Sequence, residues 1–269
     1  MRWGLPAIIF IIPATLFLIY SFEPFQEIEN LMLCFMVGFI AQLIDGAIGM
    51  AYGVISNSFL LSMGVPPALS SAGIHIAEVF TTLMSGISHL KFGNVDKRVF
   101  RELVITGMIG GCIGAYILSS TSLAIVKTLV NIYLLSIGVI IFVKAIKFTT
   151  NRKPSFRGLK FLGGIGGFLD AIGGGGWGPI VTSTLVTRNH NPRFAIGSAN
   201  LAEFFVTIVE SLTFFVSLGM IDFRVVIGLA FGGLAVAPIA AYLCKKAPIR
   251  LLMALVAVMV IILAFRNLL

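Results

Sequence analysis

The sequence predicts an all-α integral membrane protein built from two inverted repeats, each a broken-helix hairpin plus three transmembrane helices, with one extra N-terminal helix. Three observations carry this prediction: an extremely apolar composition, a run of long apolar stretches of which two are interrupted midway, and a self-similarity at a fixed offset. Of 269 residues, 58% are hydrophobic and only 11% charged, with a mean hydropathy of +1.04, whereas roughly a quarter of a soluble chain is charged. The same figures exclude a disordered chain and a secreted disulfide scaffold, and they remove the nucleic-acid reading that a pI of 9.7 would otherwise invite. The excess of 19 Lys+Arg over 11 Asp+Glu is instead a topology signal. Cys34, Cys112 and Cys244 lie in apolar stretches without metal or redox spacing and read as small packing residues.

Taken in order, the stretch 5–20 follows Met1-Arg2 and reads as a membrane helix, because no small-x-small cleavage site precedes the acidic stretch at Glu23, Glu27 and Glu29. Five further stretches, about 70–90, 100–118, 123–144, 222–243 and 248–267, meet or approach the ~20 apolar residues that a bilayer core requires. Another, 195–217, does so with Glu203 and Glu210 inside it. Segments 31–62 and 157–187 are apolar but broken by Asp-Gly-Ala-Ile-Gly (45–49) and Asp-Ala-Ile-Gly-Gly-Gly-Gly-Trp-Gly-Pro (170–179). Each is expected to be two half-helices whose arms, at ~1.5 Å per residue, fall short of the hydrocarbon thickness. A hairpin that dips in and returns follows. With both segments returning to their own side, sixteen of the nineteen basic residues collect inside, and Lys127, Arg224 and Arg266 remain outside. The N-terminus is then cytoplasmic and the C-terminus outside.

An offset of 125 superimposes Asp45 on Asp170, Gly49 on Gly174, Gly53 on Gly178, Ser58 on Ser183 and Pro67 on Pro192, and likewise Glu78 on Glu203 and Thr82 on Thr207. With one residue inserted the register runs on through Asp96 and Asp222, Gly107 and Gly233, and Tyr116 and Tyr242. The chain is therefore read as a single membrane domain over 1–269. An N-terminal helix and acidic outer loop occupy 1–30, repeat 1 is 31–147, a basic cytoplasmic linker is 148–156 and repeat 2 is 157–269. A hairpin plus three crossings makes an odd number of passes, which inverts the second unit. Inverted repeats with broken helices near the midplane are a recurrent architecture of secondary transporters.

Ionisable groups inside a bilayer cost at least ~2.5 kcal/mol and mark function. Asp45 and Asp170 either cap a helix next to a glycine break or act in the site directly, and both roles are compatible. Ser71, His75, Glu78, Thr82, Ser85 and His89 follow steps of four and three, which place them on one helix face. Asn200, Glu203, Thr207 and Glu210 repeat those steps. The two stripes read as walls of one path, or as helix-to-helix hydrogen bonding. Gly174 and Gly175 permit an unwound backbone whose N–H groups at the following half-helix would attract an anion. Thr182 and Ser183, with Asn57 and Ser58 in the other unit, complete that expected nook, and Trp177 with its mate Tyr52 either closes it or fills the interior. The substrate-binding set is thus Asn57, Ser58, His75, Gly174, Gly175, Trp177, Thr182, Ser183 and Asn200. Asp45, Glu78, Asp170 and Glu203 form a coupling or gating set, and neither a cofactor nor a bound metal is expected.

The segment Gly-Gly-Phe-Leu-Asp-Ala-Ile-Gly-Gly-Gly-Gly-Trp-Gly-Pro-Ile (166–180), followed by Asn191-Pro192 and Ser198-Ala199-Asn200, resembles the TauE/SafE family of sulfite and organosulfonate exporters. The resemblance covers nearly the whole chain. It implies a multi-pass permease of the plasma (bacterial inner) membrane without ATP-binding machinery, which moves sulfite, sulfoacetate or related sulfonates outward. The first unit departs from the pattern, reading Gly49-Met50-Ala51-Tyr52-Gly53 and carrying His75 where the second has Asn200. The leading expectation is alternating access with the anion between the hairpin tips, coupled to protonation of Glu78 or Glu203 because low dielectric penalises charge. A metal-cation carrier using His75, His89, Glu78, Glu203 and Glu210 is the alternative. An intramembrane aspartyl protease using Asp45 and Asp170 is a further one, and a channel another. The expected partners are a small anion, the lipid bilayer and protons; no nucleic acid is among them.

Overall fold

The computed structural model describes residues 27–121, 123–147, 154–219 and 223–244, together with 250, 251, 254, 257, 258, 260–262 and 265. The extra helix expected at 5–20, Lys127 as a side chain, most of the linker 148–156, Lys245, Lys246 and much of the last expected span lie outside the described residues. Every regular element among the described residues is helical. In order they are α1 (Glu27–Ile48), α2 (Tyr52–Ser62), α3 (Pro67–Lys91), α4 (Lys97–Ser120), α5 (Leu123–Ile146) and α6 (Leu159–Gly173). A π-helical turn, Gly178–Thr182, runs into α7 (Ser183–Thr187), and α8 (Pro192–Leu218) and α9 (Phe223–Leu243) follow.

Local chemistry explains where these helices start. Pro67 and Pro192 open α3 and α8, where a missing N–H is not needed. Asp96 caps α4 by accepting from the N–H groups of Arg98 (2.8 Å) and Val99 (3.4 Å), and Asn191 caps α8 through the N–H of Arg193 (3.0 Å). The two breaks fall where the sequence places them, and the repeat mates Gly49 (φ +71°) and Gly174 (φ +60°) both adopt the left-handed conformation that favours glycine.

One boundary differs from expectation. The first hairpin's entering arm is no short half-helix: α1 has 22 residues and takes in Glu27 to Asn30, which were expected in the outer loop. At ~1.5 Å per residue it is about 33 Å long and can cross the bilayer unaided. Among the described residues five helices are long and apolar enough to span: α1 (from Leu31), α4, α5 (from Thr128), α8 and α9. α3 is 25 residues long but falls outside this apolar group because its polar stripe lowers its hydropathy. α2, α6 and α7, with 11, 15 and 5 residues, are the short pieces.

Packing pairs the elements reciprocally. α1 lies along α9 and α4 along α6, while α3 and α8 pack on each other, α3 also on α9 and α8 also on α4. In the register of the sequence repeat α1 corresponds to α6, α4 to α9 and α3 to α8, so each of these contacts has a counterpart. Small residues allow the close approach: a Cβ on Gly46 would sit 2.6 Å from that of Ala240, and one on Gly163 would sit 2.6 Å from the Leu103 carbonyl. The outer surface is the apolar one, with Ile105, Ile109, Ile113, Tyr116, Phe161, Val216 and Phe231 exposed, as expected of a protein whose solvent is lipid.

Candidate functional site

The two helix breaks meet in the interior. A Cβ on Gly53 would lie 2.5 Å from Cα of Gly175 and 2.8 Å from the Gly174 carbonyl, while Gly178 packs on Gly49 and Met50. The second contact is the repeat image of the first. Asn57 braces the junction from α2: its Nδ2 donates to the Gly173 carbonyl and its Oδ1 accepts from Ser70 Oγ at 2.5 Å. Ser71 Oγ, from α3, donates to the Ala171 carbonyl at 2.6 Å.

Each aspartate holds its own break. Asp45 Oδ1 accepts from the N–H groups of Ala51 (3.0 Å) and Tyr52 (3.5 Å), and Asp170 Oδ1 from those of Gly176 (2.6 Å) and Trp177 (2.9 Å). This corrects the expectation of N–H groups left for an anion at those half-helix N-termini: a built-in carboxylate already occupies two of them at each tip. The opposite oxygens, Oδ2 of Asp45 and of Asp170, are buried without a hydrogen-bond partner among the described residues. Both aspartates therefore cap and both present a second, unspent oxygen.

The polar stripes of α3 and α8 face each other. Ser85 Oγ donates to Asn200 Oδ1 at 2.7 Å. In the repeat register its image is Glu210 with His75, and His75 Nδ1 lies 3.4 Å from Glu210 Oε2 and 2.8 Å from Glu78 Oε2. One position is thus a neutral hydroxyl–amide pair and the other an ionisable one. Asp45, Glu78, Asp170, Glu203 and Glu210 are all buried, and Glu203 lies within electrostatic range of the other four. No Lys or Arg is among the buried residues described.

The remaining expected site residues divide. Thr182 and Ser58 are buried at the tips with hydroxyls that have no hydrogen-bond partner among the described residues, as has Ser56. Trp177 is fully enclosed and its Nε1 donates to the Ala199 carbonyl at 3.1 Å, matching Tyr52, whose hydroxyl donates to the Leu229 carbonyl at 2.9 Å. These two fill the interior. Ser183 is taken by a residue expected in the cytoplasmic loop: Lys144, in the last turn of α5, reaches Ser183 Oγ at 2.7 Å and Thr184 Oγ1 at 3.3 Å. Ser183 Oγ also donates to the Pro179 carbonyl, so its hydroxyl is engaged twice, and the second half-helix carries a cation the sequence reading left out. His89 sits fourteen residues beyond His75 along α3, about 21 Å away. There it pairs with Asn94 Nδ2 at 3.0 Å, so the expected five-ligand metal set does not assemble.

Two residues escaped the sequence reading. Tyr133 of α5 packs its ring on Gly173 and its hydroxyl against Gly176, where that hydroxyl is buried and unpartnered among the described residues. Gln42 of α1 is fully buried, and neither end of its amide has a hydrogen-bond partner among the described residues. A polar group inside a largely apolar span was the available signal for both.

The profile of the family described as Sulfite exporter TauE/SafE matches residues 34–267. Over 253 residues the chain is 40% identical to the "Probable membrane transporter protein YtnM" of Bacillus subtilis (strain 168), covering 89% of this chain and 83% of that protein. It is 28% identical over 163 residues to a "Probable membrane transporter protein" of Haemophilus influenzae, covering 60% of this chain and 64% of that one. No solved structure matches. With its profile matched across most of its length, its apolar helices and its enclosed polar junction, this chain belongs to the sulfite exporter TauE/SafE family of membrane transporters.

Proposed function

We propose that the protein is a secondary transporter that exports a small sulfur-containing anion, such as sulfite, sulfoacetate or another organosulfonate, by alternating access. The observation that carries this reading is the meeting of two glycine breaks inside the fold, each with a buried aspartate, flanked by two polar stripes that hold three more buried carboxyl groups. The reciprocal packing of α1 on α9 and of α4 on α6 supports two inverted repeats in one membrane domain, which rock about the α3–α8 contact. The basic residues support a plasma (bacterial inner) membrane protein with a cytoplasmic N-terminus and an outer C-terminus.

The anion's character and direction come from the family description. Its contacts at the tips are the hydroxyls of Thr182, Ser58 and Ser56 rather than the backbone N–H groups that the aspartates hold. Charge balance then requires protons. An ionised carboxylate repels an oxyanion, whereas a protonated one donates a hydrogen bond to it, so the anion binds together with protons on Glu78 and Glu203. Proton uptake on binding means that anion affinity rises as pH falls, by up to about tenfold per pH unit for each proton taken up. The check is counterflow of labelled sulfite and sulfoacetate in proteoliposomes across a pH series. The parent is expected to transport with that pH dependence, and a Glu78→Gln/Glu203→Gln variant to lose it. Unaltered dependence in the variant would refute the coupling, and no counterflow with any sulfur anion would refute the substrate class.

A further inference from the structure

His75 lies among three acids contributed by three helices: Glu78 one turn along α3, Asp170 at the end of α6, and Glu210 in α8. One ligand-type atom from each of His75, Asp170 and Glu210 lies within 4.8 Å of the others, and all three residues are buried. Donors bonded to one ion at about 2.0–2.4 Å stand no farther than about 4.8 Å apart.

A second observation points to a ligand. Oδ2 of Asp170 and both carboxylate oxygens of Glu210 have no hydrogen-bond partner among the described residues, although both side chains are enclosed. A buried polar atom without a partner is expensive. The repeat image sharpens the point. At the corresponding position Ser85 and Asn200 satisfy each other through one hydrogen bond, while Glu210 beside His75 leaves electron pairs over. The fold has a quiet solution for this spot and uses it once.

We propose that His75, Asp170 and Glu210 form a binding site for a divalent transition-metal cation where α3, α6 and α8 meet. One imidazole nitrogen with two carboxylates suits ions such as Zn²⁺, Mn²⁺, Fe²⁺ or Co²⁺, whereas Ca²⁺ and Mg²⁺ take oxygen donors. Glu78, 2.8 Å from Nδ1, supplies the outer hydrogen bond that fixes a ligating imidazole. Asp170 spends Oδ1 on its helix break and retains Oδ2 for the ion. The cation's charge offsets carboxylates that no buried Lys or Arg neutralises. Since α3 belongs to the first unit and α6 and α8 to the second, an occupied site ties the units together in this arrangement. The inference stands on this geometry and not on the identity of the transported anion.

The test is titration of the purified full-length protein in detergent with Co²⁺, read by visible absorption and thermal unfolding, followed by Zn²⁺ and Mn²⁺. Saturation at one Co²⁺ per chain, displacement by Zn²⁺ and a rise in Tm are expected. A His75→Asn/Glu210→Ser variant installs the pair that the fold already accepts at Asn200 and Ser85. It should remain folded while binding Co²⁺ at least about tenfold more weakly. Glu210→Gln serves the same comparison if the double variant does not fold. One-to-one Co²⁺ binding retained in either variant, or no metal response in the parent, overturns the proposal. Sulfite added to the same samples separates the two readings: a sulfite-dependent shift without metal binding removes the cation site alone, and metal binding without an anion response removes the anion reading alone.

Discussion

Replacing Gly175 with alanine is expected to separate the two helix breaks and abolish transport. At φ +146° Gly175 occupies backbone space that L side chains rarely enter. Its added Cβ would run into the backbone carbon of Gly53 and the nitrogen of Val54. Neither obstacle is the movable end of a flexible side chain, and Asn57 ties the same junction through the Gly173 carbonyl. Strain and overpacking together should cost about 2–6 kcal/mol. Gly64→Ala supplies the control, because Gly64 also has a positive φ of +83° but nothing within 4 Å of its Cβ position. The difference in Tm between the two variants isolates the clash; equal losses would mean that the breaks do not bear on each other.

Asp170→Ala is expected to destabilise the fold by about 2–6 kcal/mol, since the N–H groups of Gly176 and Trp177 each lose a buried acceptor worth ~1–3 kcal/mol. Asp170→Asn behaves differently. Its amide oxygen can accept the same two bonds, so stability should stay within about 1 kcal/mol of the parent, while transport falls because the carboxyl's second oxygen is gone. Thermal unfolding of both variants beside proteoliposome transport reads the two roles separately. Full transport in a stable Asn variant would leave Asp170 as a cap and nothing more. Asp45 makes the equivalent bonds to Ala51 and Tyr52 at 3.0 and 3.5 Å, and the longer second bond predicts a smaller penalty for Asp45→Ala.

The breaks and the capping aspartates were legible in the amino-acid order because each is a local matter. Glycine tolerates a left-handed turn, and an aspartate reaches N–H groups a few residues ahead. The start of α1 was misread for the converse reason: Glu27 and Glu29 suggested a loop, but charge alone does not end a helix, and acids suit a helix's first turn. Periodicity also gathered His75, Glu78, Thr82 and Ser85 on one face of α3 without revealing what that face meets.

Only the tertiary structure decided the partners. The rotation and axial offset of α8 against α3 set His75 beside Glu210 and Ser85 beside Asn200, each pair bridging more than a hundred residues. The meeting of the breaks made Asn57 a brace between them, and the path of α5 brought Lys144 onto Ser183. The amino-acid sequence by itself determined the membrane class and the two interrupted helices, because composition and short-range geometry are contained in neighbouring residues. The makeup of the polar junction depended on packing between helices, where a single turn of rotation exchanges one partner for another.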